Sequence, residues 1–240
     1  VRVYVVPIKG QVGTDIVPRI YEEIVEDINE QTPDIVIFQL ESSDDRNVYN
    51  DGLVDIYEGE IFDERREGSL GDFDGLTEIR IMFDEKISSD IEQVLWIHDA
   101  VGTSSVLGFA WCQFYMTPEA SISKMSSNVM RARAAAGDAN VEAKFGGAAF
   151  NDLVRIASYG ECEERNETRI KLIKAMAMPE VYLSVFMQGR DYVMGNHQLY
   201  DEVLDPSDES ACSLSATKCD DFCISDGTAE SIEDLMVLLG

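Results

Sequence analysis

A histidine beside an aspartate, followed after a few residues by two serines in a run of small residues, is the arrangement in this chain that most suggests chemistry. The segment reads WIHDAVGTSSVLG and carries His98, Asp99, Ser104 and Ser105. A serine becomes a nucleophile only when a neighbouring base takes its proton, and a histidine oriented by a carboxylate is one such base. Adjacent residues of a strand point to opposite faces, however, so without an irregular turn His98 and Asp99 cannot serve each other as base and orienter. His98 therefore reads as structural, and His197, in GNHQ, as a turn residue.

Metal and redox chemistry find less support. Carboxylates gather at Asp44, Asp45 and Asp51 and again at Asp72 and Asp74, but without EF-hand spacing, the pattern of a solvated acidic loop. The five cysteines, Cys112, Cys162, Cys212, Cys219 and Cys223, include no CxxC pair, which argues against a zinc ribbon or a thioredoxin-type site. Near the C-terminus, where the last three lie, one disulfide and small buried thiols are the two readings. No cofactor and no metal is expected. The formal charge of -27, from 46 Asp and Glu against 19 Lys and Arg, would repel polyanions, so nucleic acid and anionic membrane surfaces are poor partners.

The elements that must position these residues follow from periodicity. VRVYVVPI is a short β-branched strand, IVPRIYEEIVEDINEQ a helix with Ile16, Ile20, Ile24 and Ile28 as its buried stripe, and DIVIFQL a strand apolar on both faces. Pro33 stops the helix. This is a βαβ unit, and a doubly buried strand implies a parallel sheet with helices on both sides. Residues 41–76 read as an acidic, loop-rich insertion with one short helix. TEIRIMFD, an amphipathic stretch and the strand QVLWIHDA come next, and VGTSSVLGFAWCQFYM reads as a helix packed closely on a sheet. Residues 129–149 are weakly patterned, and 150–177 look helical with a break near Gly160. VYLSVFM and DYVMGNHQLYDEVL read as strands, and 205–240 as a helical closing segment. No apolar run reaches the roughly 18 residues of a membrane span. The abrupt strand-like start suits loss of a leader or of a longer N-terminal part.

Four stretches carry a resemblance. They are YVVPIKGQVGTDIVPRIYEEIVEDINEQTPDIVIFQLES, WIHDAVGTSSVLGFAWCQFYMTPEASI, KFGGAAFNDLVRIASYGECEERN and LSATKCDDFCISDGTAESIEDLMVLLG. In that order they resemble the Clp protease/crotonase superfamily, and within it the NfeD-type, membrane-associated serine-lysine proteases. The resemblance implies one α/β domain over 1–240, built as the ClpP/crotonase-like spiral of ββα units. It implies a serine nucleophile at the turn after the third strand, with Ser104 first and Ser105 second, although counting back from YMTP places the family's serine near Gly102. It implies Lys144 as the base, with Lys124, in ISKMSS, as a weaker alternative. Cys219 and Cys223 fall where the family has Ala and Gly, which implies small, close-packed positions.

The same resemblance exposes a departure. Relatives stabilise the oxyanion with backbone N–H groups of a Gly-Gly pair after the second strand, and loss of one such donor costs about 2.7 to 4 kcal/mol. Here the stretch is ESSDDRNVY, without glycine and with Glu41, Asp44 and Asp45. The expected function is thus a degenerate, catalytically impaired serine protease-like domain that serves as a self-assembling or interaction module. The alternative is an active ATP-independent serine-lysine peptidase using Ser104 and Lys144. Crotonase-type acyl-CoA chemistry is weaker, since the acidic surface offers no home for CoA phosphates. The partners implied are further copies of the chain, a peptide or protein substrate and a membrane-anchored domain, and the place implied is extracytoplasmic.

Overall fold

The computed structural model describes residues 1–43, 70–125, 139–157, 163–178, 181–196, 202–205 and 212–240. Strands β1 (Val3–Lys9) and β2 (Ile35–Ser43) flank helix α1 (Pro18–Gln31), and helix α2 (Leu70–Lys86) leads to β3 (Glu92–Val101). A 3-10 helix (Gly102–Phe109), β4 (Gln113–Met116) and β5 (Ser121–Ser123) come next. Helices α3 (Ala139–Ala157) and α4 (Glu163–Ala177) precede β6 (Leu183–Gln188), β7 (Asp191–Gly195) and β8 (Glu202–Asp205). The chain closes with β9 (Leu214–Ser215), α5 (Ala216–Asp221) and α6 (Ile232–Leu239).

The α/β architecture with a parallel sheet is the one expected. β1, β2, β3 and β5 lie side by side in parallel, β4 pairs with the first half of the same β3 edge that β5 takes further on, and β9 adds antiparallel to β5. Strand alternation divides β2 between two cores. Val36, Phe38 and Leu40 enter the large core under the helices, whereas Ile35 and Ile37 join Trp96, Tyr115 and Leu235 of α6 on the opposite face. β6 is the centre of a separate antiparallel sheet with β7 and β8, and α4 packs on it.

Four local readings are corrected. A step of four residues advances a helix by about 40° beyond a full turn, so isoleucines repeated at that interval drift off one face. Accordingly Ile20 is 44% exposed, and the buried stripe of α1 is Tyr21, Val25 and Ile28. Thr32, left-handed at φ 45, ends that helix just before Pro33 by donating its N–H to Ile28 O. Second, α2 begins at Leu70, inside the segment read as loop-rich, and runs for 17 residues rather than as a short helix. Third, the small-residue run is only an eight-residue 3-10 helix, and QFYM is a strand. Fourth, α3 begins at Ala139, inside the stretch read as a weakly patterned connection.

The closing motif has a structural role. Asp226 exchanges two bonds with Phe114, its backbone N–H donating to Phe114 O and its Oδ2 accepting from Phe114 N, each at 2.9 Å. Ala229 N–H then donates to Met116 O at 2.9 Å, so residues 226–229 cover the free edge of β4. Ser231 and Asp234 form a reciprocal capping box that starts α6.

Candidate functional site

The parallel strands β1, β2, β3 and β5 end together, and that edge gathers the polar residues singled out above. In open α/β sheets ligands bind beyond such carboxyl ends. Gly10 turns the chain out of β1 at φ 98, where an added Cβ would lie 2.5 Å from the Asp15 carboxylate. Asp15 in turn accepts from Gln11 N–H at 2.9 Å. The Ser42 hydroxyl, wholly buried, donates to Gly10 O at 2.6 Å and ties β2 to this loop.

β3 runs directly into the serine turn. Gly102 opens it at φ 77, a left-handed conformation that glycine adopts without strain. Ser104 and Ser105 are both 0% exposed. Ser104 Oγ lies 3.2 Å from the carbonyl oxygens of both Ser42 and Val101, and its one proton serves either. Ser105 Oγ donates to Gly102 O at 2.6 Å. Among the described residues the hydroxyls thus bond to backbone carbonyls, and they lock the turn to the ends of β2 and β3.

Lys144 falls within α3, and its side chain lies outside the described residues. Lys124 follows β5 at φ 56, in the left-handed region. Asp44, Asp45, Asp51 and His197, and the side chain of Asp72, also lie outside the described residues. Asp74 sits 3.7 Å from Arg155 in an exposed ion pair. Among the described residues no group of His, Cys, Asp or Glu is arranged to hold a metal ion, and no helix is long and apolar enough to cross a membrane.

His98 and Asp99 make no hydrogen bond to each other, and the register between β2 and β3 is irregular where they lie. β2 pairs Leu40 with Ile97 and then Glu41 with Asp99, so His98 is the extra residue of a bulge. Its Nε2 lies 2.9 Å from Gln39 Nε2, its ring stacks edge-on to Trp96 at 4.2 Å, and burial lowers its pKa. Asp99 accepts from the Ser121 hydroxyl at 3.0 Å. Nearby, Lys9 and Glu41 form an ion pair of 2.9 Å.

Burial raises the Asp99 pKa, and the Ser121 bond only partly offsets it. A carboxyl raised in the folded state disfavours folding when ionised; that cost is present above the folded pKa and vanishes as pH falls below the unfolded value near 3.8. Asp99→Asn keeps an acceptor for Ser121 and removes the charge. Its thermal midpoint should exceed that of the wild type at neutral pH, by less than about 1 kcal/mol for a half-exposed group, and the gain should disappear on acidification. Differential scanning calorimetry across pH reads this directly, and a midpoint lowered at neutral pH would contradict it.

The cysteines divide by conformation. Cys112 is disulfide-bonded, with its partner outside the described residues, and Cys212, Cys219 and Cys223 are free thiols. Cys219 is wholly buried as expected, and burial pushes its thiol up to about 12. Cys223 departs from the expectation of close packing: it is exposed, at φ 53, just beyond α5. Glycine suits that position for its left-handed backbone rather than for its size.

Sequence reasoning missed two buried arginines. Arg80 and Arg169 are each 3% exposed. Arg80 Nε donates to Ala110 O at 2.7 Å, and Arg169 Nη2 donates to Trp111 O at 2.5 Å and to Cys112 O at 3.3 Å. They hold the turn between the 3-10 helix and β4. A signal was present: Arg80 stands four residues after Leu76, and Arg169 three and four residues before Leu172 and Ile173, on the apolar stripes of their helices.

No family model matches the chain, and no curated protein matches it. Solved structures similar to it include the 1510-N membrane-bound stomatin-specific protease, as a lysine-to-alanine mutant in complex with a substrate peptide. That structure is 10% identical, covers 98% of this chain and 78% of its own, and superposes with a TM-score of 0.49. A serine-to-alanine mutant of the 1510-N protease is 11% identical over 99% of this chain and 84% of that one, with a TM-score of 0.47. The third is the 1510-N membrane protease specific for a stomatin homolog from Pyrococcus horikoshii, 12% identical over 98% of this chain and 77% of that one, with a TM-score of 0.42.

Proposed function

We propose that the chain is a serine protease-like domain over 1–240 whose nucleophile turn has become structural, and that it acts as a self-assembling or interaction module. The observation that carries this reading is the state of the two serines. A nucleophile must reach the scissile carbonyl and must hand its proton to a base. Ser104 and Ser105 have no exposed surface, and both hydroxyls are bonded to backbone carbonyls. Gly102 occupies the position that counting assigns to the family's serine, and ESSDDRNVY supplies no glycine pair for an oxyanion.

The assembly half is supported by apolar side chains left on the surface of the short closing helix α6, with Val237 80% and Leu238 48% exposed. Extracytoplasmic placement, where disulfides persist, is supported by the disulfide at Cys112.

The test is labelling with a fluorophosphonate, read by intact mass. No adduct is expected on the wild type. An adduct that is lost in both Ser104→Ala and Lys144→Ala would replace this reading with that of an active serine-lysine peptidase. Light scattering on the eluting peak should give a mass above that of one chain, and a monomer at all concentrations would remove the assembly half.

A further inference from the structure

Away from both serines, α4, the β6–β7 hairpin and the turn after α5 enclose a cavity of about 290 Å³. Protein interiors rarely leave voids much larger than a water molecule, whose share of liquid volume is about 30 Å³. This space opens to solvent at one end, and its volume approaches the small end of ligand sites. Its floor is apolar, formed by the buried side chains of Phe109, Phe114, Leu172 and Met194.

The mouth has a different character. Tyr192 and Phe222 meet edge to face there at 5.5 Å, and Cys223 lies exposed beside them. Arg190, in the two-residue turn between β6 and β7, is exposed and makes no ion pair or hydrogen bond among the described residues. The buried Arg169 guanidinium lines the same space. Among the described residues of the lining Asp191 is the one carboxylate, against those two arginines. In a chain of net charge -27 this is a local excess of positive charge opening onto an apolar hole.

We propose that this cavity binds an apolar group of aromatic or branched-aliphatic size that bears a carboxylate. The hydrocarbon occupies the floor between Phe109, Leu172 and Met194, and the carboxylate meets the Arg190 guanidinium at the mouth, where a planar fork matches it in two bonds. The source is either a small free carboxylic acid or the C-terminal residue of a peptide, and both offer the same chemistry. The inference does not rest on the reading of the serine turn, since neither serine lines the cavity.

Cys223 is a built-in reporter, because it is the exposed free thiol at the mouth whereas Cys212 and Cys219 are buried. The rate of its alkylation by iodoacetamide is followed on the full chain by peptide mass, with 3-phenylpropionate or 3-phenylpropanol present, and binding is measured in parallel by saturation-transfer NMR. The acid should protect Cys223 and bind about tenfold or more tighter than the alcohol, the scale of a hydrogen bond to a charged group. Arg190→Gln, a change at an exposed position, should abolish that preference while leaving the melting midpoint unmoved. Protection by an acetylated peptide ending in free phenylalanine, and not by its amide, would assign the source to a chain terminus. Protection by the small acid alone would assign it to a free metabolite. Equal binding of acid and alcohol, an unchanged preference in Arg190→Gln, or no protection of Cys223 overturns the proposal.

Discussion

Arg169→Met is expected to destabilise the fold by roughly 3 kcal/mol or more, although it removes only a single surface-type residue by composition. The guanidinium of Arg169 serves two consecutive carbonyls, Trp111 O and Cys112 O, while Arg80 serves the one before them, Ala110 O. The chain reverses between the 3-10 helix and β4, so these carbonyls face α2 and α4 instead of a strand partner. Each bond from a charged donor contributes about 1.5 to 3 kcal/mol, and each buried oxygen left unsatisfied costs about 1 to 3 kcal/mol, so the loss is not recovered by the fit of the methionine. Arg169→Lys should fall between the two, since an ammonium is a point charge and cannot reproduce the planar fork. Urea unfolding read by tryptophan fluorescence measures both variants, and a loss below about 1 kcal/mol for the methionine would show that the arginine does not secure the turn.

Phe83→Ala should cost about 3 to 5 kcal/mol. Phe83 is wholly buried, with its ring 5.4 Å from Tyr21, 4.5 Å from Phe38 and 6.1 Å from Trp111. It thus joins α1, α2, β2 and the turn that the two arginines hold, and the hole left by its ring would be lined by elements that cannot all move inward. Arg80 lies over Trp111 at 4.9 Å, which couples the aromatic cluster to the turn. The double variant with Arg169→Met should consequently depart from additivity, a result that a double-mutant cycle on the same unfolding curves would reveal. Strict additivity would mean that the cluster and the turn are energetically separate.

Much of the fold was legible because its signals are local. The strand periodicity of VRVYVVPI and DIVIFQL needs no knowledge of the rest of the chain, and Pro33 marks the helix end on its own. The isoleucine stripe failed for an instructive reason: hydrophobicity every fourth residue looks helical, but the turn angle rotates it off the core, and Tyr21 and Val25 carry the burial instead. The serine run failed in another way. Small residues signal close packing correctly, and Gly102 through Phe109 are all buried, yet closeness does not set the length of a helix.

What the sequence by itself determined is the α/β alternation, the βαβ opening and the placement of a serine turn directly after β3. Each depends on backbone periodicity or on neighbours along the chain. Only the tertiary structure decided that the hydroxyls of Ser104 and Ser105 are spent on the carbonyls of Ser42, Val101 and Gly102, that two arginines lie buried against the turn at 110–112, and that Arg190 and Cys223 share the mouth of one cavity. Those facts join residues far apart in the chain. A hydroxyl or a guanidinium carries the same chemistry wherever it is written in a sequence, and what it does is set by which donors, acceptors and apolar surfaces the fold brings within about 3 to 4 Å of it.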